Sequence, residues 1–171
     1  MKQLIILSIV LLTGFFSYSQ KEESKTSVST FYFIRHAEKD RSDANNKNPH
    51  LTEIGVFRAE KWSEVLKNIS FDAVYSTNYF RTRETAQPTA LKNNLDITIY
   101  DPNTIDAPSF LKENRGKNVL VVGHSNTTPA FVNAILGSHK YEEIEDGNNG
   151  NLYIITVNNE DISDTLLYIN N

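Results

Sequence analysis

The chain has 171 residues, 39% of them hydrophobic and 22% charged, with a net charge of −4 at neutral pH and no cysteine. These values exclude a fibrous or wholly disordered chain and any disulfide framework. A net-negative surface also gives no electrostatic reason to bind nucleic acid or an anionic membrane, so an anionic ligand would need a positive field confined to one site.

Residues 1–19 read as a signal peptide. Lys2 supplies a minimal positive start, 4–12 are apolar, and Ser17-Tyr18-Ser19 offers small residues before a cleavage after Ser19. A membrane anchor is the competing reading, but the apolar run falls short of the roughly 20 residues a spanning helix needs. The expectation is an exported protein, periplasmic or secreted, with no membrane span after cleavage. Residues 20–29 are polar and read as a flexible leader, and 30–171 as one domain.

In chain order, residues 28–34 are apolar and β-rich and predict a first strand. Residues 40–50 are dense in Asn, Asp and Lys and predict a loop. Thr52 is a candidate N-cap for a helix whose apolar face is Ala59, Trp62, Val65, Leu66 and Ile69. A second strand is expected at 71–75, then a helix at 79–91 that Pro88 should bend or restart. A third strand is expected at 97–100 and a helix at 105–114. Val119-Leu120-Val121-Val122 reads as a strand covered on both faces. A helix over 127–136 stops at Gly137, and 153–157 with 165–169 suggest a late hairpin. Alternating strands and helices favour a three-layer α/β/α sandwich with a mostly parallel central sheet.

Ligands of such sheets sit beyond the carboxyl ends of the strands. Arg35-His36 follows the first predicted strand, Ser76-Thr77 the second, Asp101 the third and Gly123-His124 the fourth. A neutral imidazole can attack phosphorus if its other nitrogen donates to a fixed acceptor such as a backbone carbonyl. A lone Arg-His pair at a strand end is better read as a satisfied structural histidine. Ser125 and Asn126 fit helix caps. Arg81 and Arg83 stand two apart on a predicted helix and cannot share a face, so one is expected in a site and the other in solvent, with Glu84 able to pair with either. Two histidines and two arginines after separate strands make a pocket for a phosphate dianion. No close His/carboxylate spacing suggests a metal, and no P-loop or Gly-x-Ser-x-Gly elbow occurs.

These motifs resemble the histidine phosphatase superfamily, the phosphoglycerate-mutase-like proteins, over about 30–169. Arg35-His36-Ala37 is similar to its Arg-His-Gly or Arg-His-Ala signature, and Leu51-Thr52-Glu53-Ile54-Gly55 to its Leu-Thr-x-x-Gly element. Ser76 through Arg81 to Thr85-Ala86 resembles its Ser-x-x-x-x-Arg-x-x-x-Thr-Ala stretch, and Gly123-His124 its late Gly-His segment. The resemblance implies that His36 is a phosphorylated nucleophile and that Arg35, Arg81 and His124 complete the phosphate pocket, with Thr77 and Asn126 at its rim. It implies a small phosphorylated substrate, no cofactor and no metal. Where many relatives carry a glutamate proton donor, this chain has Asp101, with Asp106 as second choice. The expected function is a phosphatase acting on phosphate esters or phosphohistidine. The alternatives are phosphoglycerate-mutase-type transfer, which the short loops argue against, and a non-catalytic anion-binding module.

Overall fold

The computed structural model describes residues 27–159 and 161–170. The expected signal peptide and residues 20–26 of the expected leader lie outside these residues. Val28 and Ser29, the last two leader positions, already pair with Asn158 and Val157 in the sheet.

The elements run β1 (Val28–Arg35), α1 (Glu53–Val65), β2 (Ala73–Ser76), α2 (Phe80–Lys92), β3 (Ile97–Ile99), α3 (Ala107–Glu113), β4 (Asn118–Gly123), α4 (Thr127–Leu136), β5 (Asn151–Asn158) and β6 (Asp161–Tyr168). One six-stranded sheet has the order β3-β2-β4-β1-β5-β6. The β3, β2, β4 and β1 strands are parallel, while β5 and β6 add antiparallel pairings, so the sheet is mixed. In register Arg35 meets Gly123, and Ser76 meets both Val122 and Ile99. The carboxyl ends of four strands therefore lie along one edge.

The apolar run of β4 divides between two cores, as a strand covered on both faces must. Val119 and Val121 pack with Phe31, Phe33, Phe110 and Phe131 on the α3/α4 side. Leu120 and Val122 pack with Ile34, Trp62, Val74 and Ala86 on the α1/α2 side. These two cores make the three layers.

Thr52 caps α1, its side chain accepting from the Gly55 N–H at 3.1 Å. Gly55 is required by close approach, since a Cβ there would lie 2.2 Å from the Glu38 carbonyl oxygen. Glu38 is held in turn by Arg58, whose Nε lies 2.7 Å from one carboxylate oxygen. The segment after the first strand is thus pinned against α1.

Two expectations change. Pro88 lies inside α2 without dividing it. The helix loses one N–H bond there but buries Thr85, Ala86, Thr89 and Ala90, and this packing outweighs the lost bond. The third strand and the following helix are also shorter than expected. Asp106 is the N-cap of α3, its carboxylate accepting from the Ser109 N–H at 3.0 Å. That contact explains why an acidic residue stands at 106 and removes the case for it as a proton donor.

Candidate active site

His36 continues the β1–β4 pairing by one bond, its N–H donating to the Gly123 carbonyl at 2.9 Å. Its ring Nδ1 lies 2.7 Å from the Ala37 carbonyl oxygen. A carbonyl only accepts, so Nδ1 carries the hydrogen and Nε2 presents its lone pair. The backbone around the ring is also fixed. The Ala37 N–H donates to Thr85 Oγ1 at 2.9 Å, and Asn149 Nδ2 donates to the His36 carbonyl at 2.7 Å. Burial, then the positive charges of Arg35, His124 and Arg81, lowers the His36 pKa to about 3 despite the favourable Ala37 contact. The ring is therefore neutral near pH 7, the state an attacking imidazole needs.

Arg35 lines the same cavity, with both of its terminal nitrogens engaged by the protein and only Nε open to a ligand. Its Nη1 donates to the carbonyls of Glu145, Asp146 and Asn148 at 2.9, 3.0 and 3.0 Å. Its Nη2 donates to Asp146 Oδ1 at 3.1 Å, an oxygen that Arg41 also reaches from the 40–50 loop at 2.8 Å. Arg35 therefore clamps the 145–148 segment, and its buried Nε is left without a partner among the described residues.

Arg81 enters from the first turn of α2. Its guanidinium carbon stands 4.3 Å from the Tyr79 ring centroid, and Nη2 approaches His124 Nδ1 at 3.4 Å. Its Nε and Nη1 are buried without a partner among the described residues. Arg83 points elsewhere, over Phe80, as two-residue spacing on a helix requires. Glu84 pairs with neither arginine. It accepts from the Leu51 N–H at 2.9 Å and pairs with His50, whose ring stacks on Phe80. The 40–50 loop is tied to α2 through these contacts, so tertiary geometry overrides the local pairing expected from sequence.

His124 follows β4. Its ring is edge-on to His36, with centroids 5.5 Å apart, and its Nε2 lies 2.9 Å from Thr77 Oγ1. Burial first, and then Arg81, Lys39 and Arg35, lowers its pKa to about 4. Gly123 before it leaves room for the turn, since a Cβ there would come within 2.6 Å of Thr128 Oγ1. The capping expected of Ser125 or Asn126 is not made; instead Thr127 Oγ1 accepts from the His124 N–H at 3.1 Å, which holds the turn ahead of α4. Asn126 occupies the N-cap position of α4 with no side-chain capping bond, and it faces the cavity.

The cavity measures about 790 Å³ and brings together His36, Arg35, Arg81, His124, Thr77, Asn126 and Asp101. Every residue expected at the site is thus on one wall or another. Asp101 is exposed, and its Oδ1 accepts from the backbone and side chain of Asn103 at 2.9 and 3.0 Å. Lys39 also lines the cavity, and sequence reasoning assigned it no role. Thr85 and Asn149 were missed as supports of His36. Thr85 stands inside the quoted Thr-Ala motif, while Asn149 carries no local signal. Among the described residues no group of three or more His, Cys, Asp or Glu could hold a metal ion.

Residues 31–102 match the family model described as histidine phosphatase superfamily (branch 1). The matched stretch contains the Arg35-His36, Leu51-Thr52 and Ser76–Ala86 motifs and ends before Gly123-His124. Curated proteins give no match. Solved structures do. The protein histidine phosphatase SixA complexed with tungstate shares 15% identity at a TM-score of 0.64, covering 81% of this chain and 96% of that chain. Phosphoglycerate mutase from Bacillus anthracis str. Sterne shares 16% at 0.65, covering 83% and 93%. Phosphoserine phosphatase from Entamoeba histolytica, in complex with 3-phosphoglyceric acid, shares 18% at 0.58, covering 75% and 89%. At these identities the structural likeness concerns the fold. Residues 31–102 are thus similar to the histidine phosphatase superfamily, and the described chain shares the fold of these solved structures.

Proposed function

We propose that this phosphatase hydrolyses phosphate esters or phosphohistidine without a metal, through a phosphohistidine intermediate on His36. The observation that carries the reading is a set of unused donors. Arg35 Nε, Arg81 Nε and Arg81 Nη1 are buried and unpartnered beside the bare Nε2 of His36. Buried N–H groups without an acceptor are costly, and a phosphoryl group with three oxygens supplies the acceptors.

The substrate phosphate docks against these donors. His36 Nε2 attacks phosphorus in line, a new P–N bond forms, and the P–O bond of an ester, or the P–N bond of a phosphohistidine whose imidazole leaves, breaks. The leaving oxygen takes a proton from the Asp101 carboxyl group or from water. Water then attacks the phosphohistidine, the P–N bond breaks, and inorganic phosphate leaves. The charge spread over the phosphoryl oxygens is met by guanidinium groups held in place beforehand. The solved structures of similar fold include a phosphohistidine phosphatase, a phosphoserine phosphatase and a mutase, which supports phosphoryl chemistry at this edge without selecting a substrate.

The deciding experiment is single turnover with a ³²P-labelled aryl phosphate. The expected result is an acid-labile, base-stable label on the protein, absent from His36→Ala, with turnover unaffected by a chelator. Near wild-type turnover by His36→Ala would overturn the reading, and phosphate returned to a second position on a phosphoglycerate would favour the mutase. For location we propose export, supported by the 1–19 pattern. A mature N-terminus near Gln20 on protein recovered outside the cytoplasm is expected.

A further inference from the structure

A chain of hydrogen bonds runs from His124 through Thr77 and Thr82, and its direction is fixed at both ends. Thr82 Oγ1 lies 2.9 Å from the Thr77 carbonyl oxygen and 3.0 Å from that of Tyr79. Carbonyls only accept, so the Thr82 hydroxyl proton is committed to one of them. Its lone pairs then face Thr77 Oγ1 at 3.0 Å, and the proton for that contact must come from Thr77. Having donated to Thr82, Thr77 Oγ1 can only accept from His124 Nε2, 2.9 Å away. Nε2 therefore carries the hydrogen. On the other side of the ring, Arg81 Nη2 reaches Nδ1 at 3.4 Å. A guanidinium only donates, so Nδ1 is the lone pair. Both threonines are buried, at 1% and 0% exposure, so water does not compete for these bonds.

We propose that Thr77 and Thr82 are positioning residues that hold His124 as its Nε2–H tautomer, so that Nδ1 faces the anion cavity as the ring's proton acceptor. His36 is held in the opposite tautomer, with Nδ1–H on the Ala37 carbonyl. The two rings thus divide the work: His36 offers a lone pair to phosphorus, and His124 offers one to a proton. Around His124 stand Arg81 and Tyr79 from the α2 end, Arg35, His36 and Lys39 from the β1 end, Asp101 from the β3 end, and Asp146, which is already paired with Arg35 and Arg41. Burial first, and then the cations, keep the ring neutral. A phosphoryl anion held by Arg81 reverses that local balance, and Nδ1 then takes a proton, from solvent or from the monoanion of the substrate, and donates it to a phosphoryl oxygen.

The purpose assigned to the chain rests on the phosphoryl-transfer reading, but the tautomer does not, and it is read without turnover. The chain has four histidines, so ¹⁵N spectra of the imidazoles are assignable by replacing His50 and His139. Unligated wild-type protein at pH 7.5 is expected to show a protonated Nε2 and an unprotonated Nδ1 for His124. Saturating inorganic phosphate is expected to move Nδ1 to the protonated position. Thr82→Val removes the acceptor at the end of the chain, so Thr77 can turn its proton toward Nε2. The His124 signals should then shift toward the other tautomer, and kcat for an aryl phosphate should fall about tenfold, with Thr82→Ser restoring both. An Nδ1–H tautomer in the wild type, an Nδ1 indifferent to phosphate, or a Thr82→Val protein with unchanged spectrum and kcat would each overturn the proposal. Should Thr82→Val fail to fold, the wild-type spectra decide alone.

Discussion

Asn149 Nδ2 donates to the His36 carbonyl at 2.7 Å, joining a segment just before β5 to the residue just after β1. Both groups are buried, and the contact fixes the peptide that orients the imidazole. Asn149→Ala leaves that carbonyl unpaired in the interior, which costs about 1–3 kcal/mol. A lower denaturant midpoint together with a lower kcat is expected, with KM for an aryl phosphate less affected. Wild-type kcat at reduced stability would show that the ring is oriented without this bond.

Arg35 and Arg81 should separate by what their replacement does to stability. Arg35 holds three backbone carbonyls and Asp146, so Arg35→Met releases the 145–148 segment from β1 and should lower both the melting temperature and turnover. Among the described residues Arg81 donates only at the long Nη2–His124 contact, and burial and Arg35 already lower its pKa. Arg81→Met should therefore cut kcat/KM by at least about a hundredfold while leaving the melting temperature unchanged or raised. Calorimetry and steady-state kinetics on the two variants check the contrast.

The edge carrying the site was legible because strands of a parallel sheet end together, so residues placed after separate predicted strands had to converge. His36, Arg81, Asp101 and His124 met on that rule. The second function of Arg35 was not legible. Its partners lie about 110 positions away in a turn-rich segment, and no periodicity marks a carbonyl as a ligand. The Glu84 error has the same origin. Helical spacing weighs i and i+3 neighbours, whereas the 40–50 loop brings His50 and Leu51 across from elsewhere. Pro88 shows the limit of propensity, because a helix face buried against the core tolerates one missing bond.

Asp101 and Asp106 should also part cleanly. Asp106→Ala removes the α3 cap and should lower the denaturant midpoint slightly with no change in kcat. Asp101→Asn removes a carboxyl from the cavity wall. If it protonates the leaving oxygen, the variant should lose turnover of alkyl phosphates, whose leaving groups need a proton, and keep turnover of a nitrophenyl phosphate, whose leaving group does not. Equal losses on both substrates would assign Asp101 to binding instead.

The two site histidines set a pH dependence of stability. An unfolded chain takes up a proton on each ring near pH 6.5, whereas the folded protein refuses it until about 3 at His36 and about 4 at His124. Below pH 6.5 the unfolded state therefore binds more protons, and stability must fall as the pH drops through that window. Each ring can contribute up to about 1.4 kcal/mol per pH unit. Urea midpoints at pH 7 and pH 5 should differ for the wild type, and the difference should shrink in a His36→Asn, His124→Asn double variant. Saturating phosphate should flatten the dependence as well, because an anion in the cavity makes a protonated His124 acceptable to the folded state. An equal pH difference in wild type and double variant would place the acid sensitivity in the surface carboxylates rather than in the site.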